Sequence, residues 1–244
     1  IAYGIASLVA VLLCLFVAGW THVAMEPLGF YALVAMLGLC WLVQVVHPIA
    51  IAALRPLAPR KRYNRWWWYV AWFVGLNAAA FPFGPNRGTV LGYDHYYIPS
   101  MSMAPTVQAG DRIVVDERRY RDTPPAFGEI VTCWIQEVKV VKRVLGVPGD
   151  TIQMRGPVLV RNGSVVDESY LSTERLSGAP NTGPLTLGAG QFFVVGDNRG
   201  NSNDSRYVGP LARDQIFGRV EFIHFSRSLG VVHWERFPVV LASD

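Results

Sequence analysis

The residues best able to do chemistry stand in two short motifs. Ile98-Pro99-Ser100-Met101-Ser102-Met103-Ala104-Pro105-Thr106 sets a serine in a proline-flanked bend. Val140-Val141-Lys142-Arg143-Val144-Leu145-Gly146-Val147-Pro148-Gly149-Asp150 sets a lysine in an apolar run. A serine hydroxyl is a weak nucleophile until a neighbouring base takes its proton, and a lysine amine can be that base where burial lowers its pKa. An ordinary lysine titrates at about 10.4 and is charged at neutral pH, so a working base needs lowering by about 2–3 units. Neither motif contains histidine, so the chemistry expected is Ser–Lys hydrolysis and not the histidine version of the same logic.

Ser102 is the expected nucleophile, presented from a bend that Pro99 and Pro105 restrict. Lys142 is the expected general base, and strand alternation supports it independently. Val138, Val140, Lys142 and Val144 share one face, whereas Glu137, Lys139, Val141 and Arg143 share the other. Lys142 therefore points to the apolar side. Lys139 lies among charged neighbours and is expected in solvent. Gly146, Pro148 and Gly149 read as turn residues that end the strand.

A third motif follows: Gly196-Asp197-Asn198-Arg199-Gly200-Asn201-Ser202-Asn203-Asp204-Ser205-Arg206. In this order, the three motifs resemble those of the bacterial type I signal peptidases, a family of Ser–Lys dyad serine proteases. The resemblance runs from about Tyr96 to Val220 and says little about the first 80 residues. It points to the same Ser102 and Lys142. It further implies an oxyanion hole from the Ser100 hydroxyl and the Ser102 backbone N–H, a Ser202 hydroxyl bonded to the lysine amine, and an Asp204 carboxylate holding nearby arginines, with Arg143 and Arg206 as candidates. Tyr96, Ile98, Pro99, Met103 and Val107 match positions that line substrate pockets or the adjoining membrane surface, with core packing as the competing reading. Asp197, Asn198 and Arg199 read as a structural turn network. Where this chain has Gly200 the family usually has an acidic residue, a departure that removes no proposed catalytic group. The implied activity is removal of N-terminal signal peptides from secreted preproteins after small-x-small (Ala-x-Ala) sites, with the peptide added as an extended strand. No cofactor or metal is implied. A relative dedicated to one secreted or conjugation protein, and an inactive peptide-binding scaffold, are the competing functions. A self-cleaving repressor relative is disfavoured because no DNA-binding module precedes the domain.

The elements that must position these residues divide into two parts. The 244-residue chain is 51% hydrophobic, more apolar than an average soluble protein. Three runs without charge, at about 2–20, 29–54 and 66–83, are long enough for transmembrane helices. The first lacks the basic start of a cleaved signal peptide. The chain begins at Ile1 and not Met, which leaves room for residues before it. Five basic residues, Arg55, Arg60, Lys61, Arg62 and Arg65, lie between the second and third runs, and Glu26 is the sole acid of residues 1–83. Loop 55–65 is therefore expected in the cytoplasm, and everything after Gly84 outside it. This predicts a multi-pass protein of the cell (inner) membrane with an extracytoplasmic catalytic domain. Trp66, Trp67, Trp68 and Tyr69 fit an interfacial belt, and membrane lipid is an expected partner. Residues 84–244 carry 17 basic and 17 acidic residues, a balance that argues against nucleic-acid binding.

The fold class expected is mainly β: an antiparallel β domain at 84–244, anchored by about three transmembrane helices within 1–83. Strands are predicted at Arg112–Val115, Glu129–Trp134, Val138–Leu145, Val158–Val160, Gln191–Val195 and Arg219–Phe225. Asn162-Gly163 marks a hairpin. Residues 167–190, rich in Ser, Thr, Gly and Pro, read as an exposed loop, and the short stretch from Asp150 to Asp197 leaves no room for a large second subdomain. Cys14, Cys40 and Cys133 read as small apolar residues. His95, His224 and His233 are not clustered in sequence and read as structural or solvent-facing.

Overall fold

Runs of Val, Ile and Phe alternating with polar residues fold here as the pleat requires, one face inward and one outward. The computed structural model describes residues 92–171 and 178–241, with scattered helical positions between 27 and 46. The chain divides into two units, Ile1–Tyr93 and Asp94–Asp244. Among the described residues no helix is long and apolar enough to cross a membrane. The expected runs at 2–20 and 66–83, loop 55–65 and most of the run at 29–54 lie outside the described residues.

The second unit is antiparallel β. Its strands are β1 (Tyr93–Tyr97), β2 (Asp111–Asp116), β3 (Ile130–Ile135), β4 (Val138–Gly146), β5 (Thr151–Arg155), β6 (Val158–Arg161), β7 (Ser164–Val165), β8 (Thr182–Thr186), β9 (Gln191–Val195), β10 (Leu211–Ala212), β11 (Ile216–Ser228), β12 (Val231–Val232) and β13 (Val239–Val240). One short helix, α1 (Ser205–Val208), precedes β10. The main sheet has the order β1-β2-β11-β3-β4-β9-β10, with β12 and β13 also paired to the 13-residue β11. Register shifts at Val220/Phe222 and Ile223/Phe225 bend β11 along β2. A second sheet, β7-β6-β5-β8, has its own core of Ile152, Met154, Leu159 and Leu187 against Leu145 and Phe193.

All six predicted strands form, one with both predicted ends and the others with ends shifted by at most three residues. The Asn162-Gly163 hairpin forms with φ of 53° and 84°, joining β6 to β7 with Arg161 opposite Ser164. One expectation fails. Residues 167–190 are not all loop, because Thr182–Thr186 is a strand paired with β5. Gly183 and Pro184 suggest a break, but β8 lies at a sheet edge, where a proline without an N–H is tolerated. The stretch between the second and third motifs is thus a small sheet of its own.

Candidate active site

β4 carries Lys142 between β3 and β9, with Val131 opposite it in register. Val144, on the same face, sits in the core with Val131, Cys133 and Val194. Alternation therefore turns the lysine into an apolar interior, and Lys142 is 2% exposed. Its Nζ donates to the Val141 carbonyl at 2.9 Å and lies in hydrogen-bond contact with Ser102 Oγ at 3.0 Å. Burial pulls the amine pKa below its ordinary value, against the opposing pull of Cys133, Asp204 and Asp197, while Arg206 assists. Burial also pushes the Cys133 thiol up to about 12, so at neutral pH it carries no charge that would hold a proton on the amine.

Ser102 lies in the bend between β1 and β2. The third motif fastens that bend: the Asn198 backbone N–H donates to the Ser102 carbonyl at 3.0 Å, and Asn198 Nδ2 donates to the Met101 carbonyl at 3.0 Å. A Cβ on Gly196 would stand 2.4 Å from the Ser102 carbonyl oxygen and 2.2 Å from Ser202 Oγ, so only glycine allows this approach. Ser100 is exposed, and its Oγ is 3.4 Å from Ser102 Oγ.

Of the two candidate arginines for Asp204, Arg206 pairs with it and Arg143 does not. It makes a bidentate pair with Asp197 at 2.9 and 2.7 Å, donates to the Gly128 carbonyl, and lies over the Tyr170 ring at 3.9 Å. Asp197 also accepts from Thr106 Oγ1 at 2.6 Å. The odd position of Arg143 in β4 sends it to the face opposite Lys142, where Asp197 waits. Asp204 instead holds Arg206 in a fully buried bidentate pair at 2.8 Å, caps α1, and accepts from the Gly196 N–H. Ser202 does not bond the lysine amine. Its Oγ is buried against Gly196 with no hydrogen-bond partner, because the amine bonds Ser102 and Val141 instead.

Three of the expected pocket residues turn inward. Ile98, Met103 and Val107 are 7%, 1% and 0% exposed and pack with Ile113, Val115 and Ile223. Their side chains anchor the Ser102 bend to the core. Pro99 is exposed, and half-buried Tyr96 donates its hydroxyl to Glu117 at 2.7 Å. Lys139 is exposed as expected, with its amine 5.0–5.2 Å from the rings of Tyr96, Trp134 and Phe217. His95 and His224, far apart in sequence, meet edge to face at 5.1 Å. Sequence reasoning missed Thr106, Glu168 and Tyr170. Glu168 forms a buried bidentate pair with Arg199, and no local pattern marks it.

Residues 76–225, more than half of the chain, match the family described as signal peptidase, peptidase S26. The chain belongs to the signal peptidase family. It is 36% identical over 137 residues to the "Probable signal peptidase I-2" of Synechocystis, a match covering 53% of this chain and 61% of that one. It is 35% identical over 174 residues to the signal peptidase I of Bacillus caldolyticus, covering 66% of this chain and 90% of that one. The crystal structure of a signal peptidase I from Enterococcus faecalis is 27% identical and aligns over 40% of this chain and 97% of that one, with a TM-score of 0.36. The chain thus spans less than two thirds of the length of the Synechocystis relative. Within the family match lie all three motifs, and with them Ser102, Lys142, Asp197 and Asp204.

Proposed function

We propose that this chain is a membrane-bound serine endopeptidase that removes N-terminal signal peptides from secreted preproteins after small-x-small sites. The observation that carries the reading is the 3.0 Å contact between a hydroxyl at a tight bend and an amine buried in an apolar wall.

In this reading Lys142 is neutral in the resting enzyme. Its amine takes the proton from Ser102 Oγ as that oxygen attacks the scissile carbonyl. The Ser100 hydroxyl and the Ser102 N–H donate to the developing oxyanion. As the tetrahedral intermediate collapses, the Lys142 ammonium protonates the leaving amine, and an ester links Ser102 to the signal peptide. Lys142, neutral again, takes a proton from the water that hydrolyses the ester. The buried Asp204–Arg206 and Asp197–Arg143 pairs neutralise one another and fix the bend that presents Ser102.

The substrate is an extended segment beside β4 with small residues at the cleavage site, adjoining the surface of Tyr96 and Pro99. Charge and hydropathy support a multi-pass anchor in residues 1–83, a cytoplasmic loop at 55–65, and a catalytic domain on the extracytoplasmic face of the cell membrane. Membrane lipid and preproteins are its partners. The test is a series of preproteins with each residue type in turn at the last position before the cut, digested by the detergent-solubilised chain. Ala should be cut most efficiently, and Leu about 10–200-fold less, as a shallow pocket dictates. Equal cleavage after Ala and Leu would reject the small-x-small reading.

A further inference from the structure

The family match ends at residue 225, yet the chain beyond it reaches back to the nucleophile bend. β12 pairs with the end of β11, Arg227 opposite Val232, and the His233 N–H donates to the Ser226 carbonyl at 3.0 Å. The turn Trp234–Arg236 follows, and β13 then returns to β11 with Val239 opposite Ile223. The Leu241 N–H donates to the Glu221 carbonyl at 2.8 Å. Both ends of this segment are therefore tied to the longest strand of the sheet.

From its middle, Arg236 crosses to the bend. Its Nε donates to Asp111 Oδ1 at 3.0 Å, and its Nη2 donates to Asp111 Oδ2 and to the Thr106 carbonyl at 2.9 Å. Asp111 is fully buried, and the same carboxylate accepts from the Gln108 N–H at 2.8 Å, closing the turn that ends the bend. A second contact is apolar: Val239 and Leu241 pack on the cluster that holds Met103 and Val107. Thr106 is thereby held twice, through its hydroxyl by Asp197 and through its carbonyl by Arg236.

We infer that Val231–Val240 is a strap that sets the position of Ser102, and that Arg236 is a positioning residue acting through Asp111 and the Thr106 carbonyl. The inference rests on Ser102 being the nucleophile. Bidentate geometry is the reason for arginine: a planar guanidinium meets both carboxylate oxygens and a carbonyl at once, and a lysine ammonium reaches fewer of them. With the strap loosened, Ser102 drifts from the amine and water reaches Lys142. The groups that act on the amine, Cys133, Asp197, Asp204 and Arg206, are untouched.

The test is Arg236→Gln in the full chain, with Arg236→Lys beside it. Turnover should fall at least about tenfold with KM within about twofold, since small misplacements of a reacting group carry large rate penalties. The acid limb of kcat/KM should move to higher pH as the amine regains water. Amide hydrogen exchange at Ala104 and Val107, whose N–H groups bond the Met101 and Met103 carbonyls, should quicken by about tenfold. Arg236→Lys should keep part of each property, and it carries the same readouts if Arg236→Gln does not fold. A folded variant with unchanged kcat, pH limb and exchange overturns the strap. Exchange does not depend on catalysis, so a wild type whose activity survives Ser102→Ala would reject the nucleophile assignment while exchange still judged the strap.

Discussion

Asn198 donates its backbone N–H to the carbonyl of Ser102 at 3.0 Å, so the third motif holds the proposed nucleophile by its own peptide group. Its side chain adds a second bond, to the Met101 carbonyl. Asn198→Ala keeps the first and loses the second. Such a hydrogen bond is worth about 1 kcal/mol of stability. The effect on rate should be larger, a drop in kcat of about 10–100-fold, because the bend orients the reacting oxygen. Steady-state kinetics beside denaturant unfolding separate the two. Equal losses in both, expressed as free energy, would reduce Asn198 to a stabilising residue.

Gly196 is confined by the same contact. In Gly196→Ala the new Cβ meets the Ser102 carbonyl and Ser202 Oγ, and overpacking of this kind costs about 1–3 kcal/mol. Ser202→Gly removes both the Ser202 hydroxyl and its Cβ, 2.6 Å from the new atom, but not the carbonyl. The double variant should therefore remain as inactive as Gly196→Ala alone. Recovery of cleavage in the double variant would show that Ser202, and not the Ser102 carbonyl, sets the constraint.

Lys142 gives a pH signature in rate and in stability. With Lys142 as the proposed general base, rate requires the neutral amine, so kcat/KM should rise with pH through a folded-state pKa lying below the ordinary lysine value. The sign for stability is the reverse of the usual ion-paired case. A folded pKa below the unfolded one means that the unfolded chain binds the extra proton, so burial of Lys142 destabilises the fold at low pH. That cost is full below the folded pKa and vanishes as pH rises to the unfolded value of about 10.4. Lys142→Met should be more stable than wild type at neutral pH, with the gap closing toward alkaline pH. Urea unfolding across pH measures it. A gap constant with pH would mean that Lys142 is not desolvated.

Asp204 and Arg206 are both fully buried at their side chains. Asp204→Asn leaves the guanidinium charge unpaired and keeps only one of the two oxygens that accept from Arg206 and from the Gly196 N–H. Breaking a buried pair in this way costs about 3–5 kcal/mol, so a large fall in unfolding free energy is expected. A loss below about 1 kcal/mol would place the pair among weak surface interactions.

Much of this arrangement is legible in the sequence. Alternation alone assigned Lys142 to the buried face, because a strand has a strict period of two. Asn162-Gly163 named its turn because both residues accept positive φ. The β3–β4 turn escaped notice because Gln136 and Glu137 adopt φ of 48° and 66° without glycine or asparagine, against a left-handed penalty of roughly 1–2 kcal/mol per residue. β8 escaped because Gly183-Pro184 breaks a central strand but not an edge. The choice of Asp197 over Asp204 by Arg143 is set by strand register between residues 54 apart, which no local pattern carries. Ile98, Met103 and Val107 looked like pocket residues because apolar side chains beside a reactive serine suit either role, and only the fold says which way they turn.

If Ser102 and Lys142 act as a pair, cleavage of a preprotein bearing an Ala-x-Ala site needs both side chains. Wild type, Ser102→Ala and Lys142→Ala are compared in detergent with a metal chelator present, each variant checked for folding. Wild type should cleave the preprotein and neither folded variant should. Cleavage that survives in either folded variant, or its absence in folded wild type, would contradict the pairing.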